Sequence, residues 1–292
     1  MAPDVGRQED DMQSSNPVLN RSSAFAPGQG QAYPGAAPYG QPGPYGYGQP
    51  GQYGGPGGPG QQYQGAPADS RPMTLDDVIV KTSLTLGVVV LTAALAWWWT
   101  PDNLVTPVFL AGALLGFAMA MVLSFSRRVN PVLVMVYAAA EGAFLGIGSK
   151  FIAAWVGDSG IIVQAVLATM VTAGLTLATY KYFNIKVTPR FTRMVIVATM
   201  GFAGVLLINL VLSLFGVGTG ISGMGPMGLL FAAIGAGLAV FNLILDFDMI
   251  EQGVRHGAPQ NEAWRAAFGL TVTLVWLYWN LLRILAILRG GD

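Results

Sequence analysis

The sequence predicts an all-α polytopic membrane protein, a seven-transmembrane-helix bundle behind a disordered N-terminal arm. Three observations carry this reading. Of 292 residues, 53% are hydrophobic and only 10% charged, against roughly 25% charged in a soluble globular domain. From residue 78 onward apolar runs recur, each close to the ~20 residues that a helix needs to cross ~30 Å of hydrocarbon. Residues 1–70 differ sharply: they hold 11 of the 18 prolines, 15 of the 39 glycines and six of the ten tyrosines, with no charge between Ser22 and Pro67.

The arm, residues 1–70, has too few aliphatic side chains to offset the ~1–2 kcal/mol per residue of ordering entropy, so it is expected to stay unfolded. Its acids near Met1 and its lack of an apolar stretch exclude a signal peptide. The membrane domain then covers residues 71–292. Its runs are 78–99, 107–125, 132–156, 161–182, 193–215, 227–249 and 268–288. Turn formers break them: Thr100-Pro101-Asp102-Asn103, Arg127 to Pro131, Gly157-Asp158-Ser159-Gly160, Lys181 to Arg193 with Pro189, the glycine-rich 216–228, and 251–266 with Pro259. Helices are required because lipid offers the backbone no partner, and the runs are too long and uniformly apolar for barrel strands.

Positive charge in short loops sets the orientation. Arg71 and Lys81, Arg127 and Arg128, Lys181, Lys186, Arg190 and Arg193, and Arg255 and Arg265 fall on alternate connections; the others carry almost none, apart from Lys150. The arm is therefore expected in the cytoplasm, the C-terminus outside, and the protein in the plasma membrane. Trp97, Trp98, Trp99 and Trp155 fall at proposed outer ends, as interfacial anchors do. Gly112/Gly116 and Gly142/Gly146 have the four-residue spacing that lets helix backbones approach closely.

Composition narrows the function. Lysine plus arginine (15) balance aspartate plus glutamate (15), with no cysteine and one histidine. That argues against a nucleic-acid partner and removes thiol and most imidazole chemistry, so no enzyme and no resident cofactor or metal are expected. Gly218-Thr-Gly220-Ile-Ser-Gly223 fits a dinucleotide-loop pattern without the strand that it needs. Gly220-Ile-Ser222-Gly223 resembles the serine motif of rhomboid proteases, but the single histidine, His256, lies beyond the opposite end of the next helix.

The informative residues are ionisable groups inside the runs, because a charge at the bilayer centre costs at least ~2.5–3.5 kcal/mol and usually faces the bundle interior. Glu141 lies nine residues beyond Val132, about 13 Å along a helix, near mid-membrane. It is expected to be buried, either as an interhelical hydrogen bond or as a proton-sensitive gate. Asp246 and Asp248 are two residues apart and point ~200° away from each other. Asp248 shares a polar stripe with Glu251, Gln252 and Arg255 that runs into the cytoplasm. Asp246 shares its face with Asn242 and is the better buried candidate. Asn280 and Arg283 are neighbours on span seven. Arg283 either snorkels to the outer interface or counters Glu141 or Asp246.

The segments Tyr137-x-x-x-Glu141-Gly-x-x-Leu-Gly146, Asn242-x-x-x-Asp246-Phe-Asp248-x-Ile250 and Leu277-Tyr278-x-Asn280-x-Leu282-Arg283-Ile-Leu resemble the Bax inhibitor-1/YccA family, over about residues 75–289. The resemblance is to the bacterial, actinobacterial-type branch with a low-complexity arm. It implies seven helices with the last in the middle of the other six. It also implies a pH-sensitive calcium leak, in which an acid near the end of span six pairs with one in span seven. Asp246 matches the first acid; Asn280 stands where the second is usual, and such a pair can hydrogen bond but cannot titrate as two acids. Glu141 replaces the missing acid if spans three and six pack together. The expected gate is therefore Asp246, Glu141, Asn280, Arg283 and Asp248, with calcium only a transient contact of Asp246 and Glu141. The alternative that the resemblance implies is a non-transporting regulator that binds a membrane-bound quality-control protease through the arm. Beyond that, the lipid bilayer is the expected partner.

Overall fold

The computed structural model describes residues 71–126, 129–183 and 185–290; the proposed arm, residues 1–70, and the Arg127–Arg128 pair lie outside the described residues. Seven helices run α1 Leu75–Trp99, α2 Val105–Phe125, α3 Pro131–Val156, α4 Gly160–Tyr182, α5 Pro189–Leu214, α6 Pro226–Arg255 and α7 Glu262–Arg289. All seven are long and apolar enough to span a bilayer. The chain is therefore a multi-pass membrane protein.

Local chemistry fixes the helix ends. Thr74 and Asp77 form a reciprocal capping box at the start of α1. Asn130 and Thr188 cap α3 and α5, each followed by a proline in the first turn, where a missing N–H costs nothing. Gly157 closes α3 with φ 77°, a left-handed conformation that suits glycine. Two helices outrun their apolar segments: α6 continues to Arg255 and α7 begins at Glu262. The extra turns are polar but made of good helix formers, with Glu251–Arg255 and Glu262–Arg265 ion pairs along them.

Helix α7 is the axis. α1, α3, α4 and α6 each pack on it and on one another in the ring α3–α1–α6–α4–α3. α2 lies outside this ring on α3, and α5 outside it on α6. So four helices pack closely on α7, where all six were expected around it, and α5 reaches it through Phe202 against Trp276 at 5.7 Å; α3 and α6 fall on opposite sides of α7 without packing together. Burial follows: 56% of the most apolar stretch of α3 and 50% of that of α7 are buried, against 11% for α5. Large apolar side chains elsewhere point outward, toward lipid, such as Leu114, Val171 and Met200.

The expected glycine contacts are present. A Cβ at Gly142 would strike Thr92 and the Val89 carbonyl of α1, and one at Gly146 the Ala93 carbonyl. Gly112 meets the α3 backbone at Ala140 and Phe144. Without a hydrophobic drive between helices in lipid, such close backbone approach supplies the packing.

Candidate functional site: the α6–α7 seam

The seam between α6 and α7 is built from two facing stripes. On α6, Gly228, Ala232, Gly235, Ala239, Asn242 and Asp246 recur at three- and four-residue steps; on α7, Gly269, Thr273, Trp276, Asn280 and Arg283 do the same. The helices run antiparallel, so Asp246 meets Thr273, Gly235 meets Asn280 and Gly228 meets Arg283.

Asp246 lies partly buried in the last third of α6. Its Oδ2 accepts a 2.7 Å hydrogen bond from the Thr273 hydroxyl, whose oxygen is also 3.1 Å from the Gly269 carbonyl. A hydroxyl has one proton and two acceptor sites, so Thr273 can serve either oxygen but not both fully. Oδ1 faces Gly269, where even an added Cβ would stand 3.7 Å away. Nearby, Asn242 donates to Thr199 of α5 at 2.8 Å and to its own helix at Leu238.

The other expected gate residues do not converge on Asp246. Asn280 is buried, donates to the Trp276 carbonyl at 2.8 Å, and sets its oxygen against Gly235. It lies seven residues beyond Thr273, about 10 Å along α7, so the position opposite Asp246 belongs to Thr273. Arg283 is buried, with no ion pair among the described residues. Its guanidinium donates to the carbonyls of Ile221 at 2.8 Å and Gly223 at 3.3 Å. It neither snorkels nor counters an acid; it ties the loop before α6 onto α7. In that loop Ser222 accepts from Asn209 at 2.5 Å, far from His256, which bonds to Gln252 at the C-terminal end of α6.

Glu141 is partly buried on α3, its Oε2 against Gly116 of α2. With α3 and α6 on opposite sides of α7, Glu141 does not replace a second acid beside Asp246. Tyr137, one turn earlier, packs edge-on against Phe268 of α7 at 5.1 Å.

Asp248 faces away from the seam, as its spacing predicts. It accepts from Gln252 at 2.6 Å and lies 3.4 Å from the hydroxyl of Tyr180, which donates to Glu251 at 2.7 Å. These groups line an open pocket of about 510 Å³ at the C-terminal end of α6, together with Lys186, Arg255 and His256. Among the described residues no three histidine or acidic side chains converge as a metal-ligand set.

Thr273 and Tyr180 were not among the expected site residues. The signal for Thr273 was the three-to-four-residue step from Gly269 to Arg283, which marks a polar face inside an apolar run. Tyr180 carried no such signal, because its role depends on α4 lying against α6.

Comparison with known proteins agrees with this architecture. No curated protein matches the chain. A family model described as Bax inhibitor 1 like matches residues 16–290, which takes in all seven helices and both stripes of the seam. The chain belongs to the Bax inhibitor 1 like family.

Proposed function

We propose that the protein is a pH-sensitive cation leak of the cell membrane, with calcium as the transient cargo and Asp246 as the gate. The arm and the cytoplasmic turns would face the cell interior, following the positive charges at that end. The observation that carries the reading is the single bond from Thr273 to Asp246 across the seam, with Oδ1 left facing Gly269.

When Asp246 is ionised, Thr273 donates to it, and Oδ1 remains as an anionic oxygen of the kind that calcium prefers. When Asp246 is protonated, its own O–H can donate to Thr273, whose proton then turns back to the Gly269 carbonyl. The bond reverses and the negative charge is gone. Cation passage therefore falls as Asp246 takes up its proton, so acidification closes the leak. Asn280 and Arg283 belong to the same seam further out, where the Arg283 clamp on residues 221–223 closes its outer end. Glu141, between α2 and α3, has a packing role in this reading. No enzymatic step is involved.

The test is calcium flux into liposomes carrying the purified full-length chain. Wild type should conduct more at pH 8 than at pH 6, and Asp246→Asn should be low and flat. Equal flux in both proteins removes Asp246 as the gate, and no flux in either removes the leak; if deleting residues 1–70 then abolishes capture of a membrane-bound protease, the regulator reading takes its place.

A further inference from the structure

The segment that joins the arm to α1 is tied to the turn between α6 and α7. Pro72 and Pro259 form an antiparallel bridge, with Met73 N–H donating to the Ala258 carbonyl at 2.7 Å and Gln260 N–H to the Arg71 carbonyl at 3.0 Å. The Gln260 side chain donates to Asp77 at 2.8 Å and accepts from Arg71 at 3.4 Å. Lys81 donates to the Gln260 carbonyl at 2.9 Å and stands 5.3 Å above the Trp264 ring of α7. Met73 is 4% exposed and covers Gly253, where an added Cβ would come within 2.7 Å of its methyl.

Gly253 is seven residues beyond Asp246, and Ile250 stands between, so all three share one face of α6. The contact therefore clamps the seam two turns beyond the gate. It differs from the seam in kind. Its bonds are polar and sit at a helix end, exposed at Arg71 and part-buried at Asp77 and Lys81, where water can replace them more readily than in the seam, which lies at membrane depth.

We infer that residues 71–81 are a releasable strap that holds the α6–α7 seam closed. Its physiological meaning rests on the gate reading above; its test does not. The native chain has no cysteine, so a reporter Gly269→Cys, beside Asp246, is the only thiol. The probe is a membrane-impermeant cationic methanethiosulfonate reagent, applied to the full-length protein in nanodiscs. Met73→Asp puts a charge into the apolar seat. Gln260→Ala removes only the side-chain bonds to Asp77 and Arg71 and so keeps the test open if Met73→Asp fails to fold. Either should raise the labelling rate about tenfold. In a Pro72→Cys/Pro259→Cys pair on the same background, labelling is read at position 269 alone by peptide mass, and oxidising the pair beforehand should slow it below the rate of the reduced pair. Unchanged rates in folded Gln260→Ala, or equal rates in the oxidised and reduced pair, overturn the strap. Labelling that responds to the strap in a protein without cation flux would retain the strap and remove the leak. Flux with strap-insensitive labelling would do the reverse.

Discussion

The Thr273 hydroxyl donates to Asp246 across the α6–α7 seam at 2.7 Å. This bond joins the central helix to one of its four neighbours through a group that can gain or lose a proton. Thr273→Val keeps the shape and removes the bond. It should cost about 1–3 kcal/mol of stability, the penalty for a partly buried polar group left without its partner. Thermal unfolding in detergent measures this, and Thr273→Ser should restore most of the loss.

The position of a second acid is also testable. Thr273→Asp would face Asp246 and create a pair that shares a proton, because two close carboxylates resist ionising together. Its flux should close at higher pH than wild type does, since the pair holds a proton more tightly. Asn280→Asp is about 10 Å further along α7 and should leave the pH midpoint where it is. A shift produced by Asn280→Asp and not by Thr273→Asp would make Asn280, rather than Thr273, the residue coupled to Asp246.

Arg283 should act on the loop before α6 and not on the pH response. Its two bonds to the Ile221 and Gly223 carbonyls are charge-assisted, and such bonds contribute about 1.5–3 kcal/mol each at most. In Arg283→Met, amide exchange across residues 216–225 should accelerate, while the flux midpoint stays that of wild type. A midpoint that moves with Arg283 would mean that it senses Asp246 after all.

Much of this architecture is legible in the sequence. In lipid a backbone has few options, so long apolar runs between turn formers become helices close to their expected bounds, and Gly142 and Gly146 make the close contacts that their spacing suggests. The extra turns of α6 and α7 are not evident, because Glu251 to Arg255 and Glu262 to Arg265 look like a polar loop although they are good helix formers. Helix neighbours are harder. Uniformly apolar helices do not display which face is inside, so nothing in the chain shows α3 and α6 on opposite sides of α7. That arrangement separates Glu141 from Asp246. Thr273 escapes notice because a threonine in an apolar run costs little and normally bonds its own helix, as Thr271 does to Ala267.

The close approach of α1 and α3 gives a stability prediction with its own control. Gly146→Val would drive two methyls into the Ala93 backbone and should cost several kcal/mol or prevent folding, as overpacked sites do. Gly174→Ala on α4 meets nothing within 4 Å and should be neutral or gain up to ~1 kcal/mol from helix propensity. Thermal melts of the two variants separate the cases.

A gate at the seam requires Asp246 to exchange a proton while bonded to Thr273. Infrared difference spectroscopy across an acid step reads this directly. A carboxyl C=O band should appear in wild type, vanish in Asp246→Asn and change frequency in Thr273→Val. A spectrum unaltered by either substitution would contradict it.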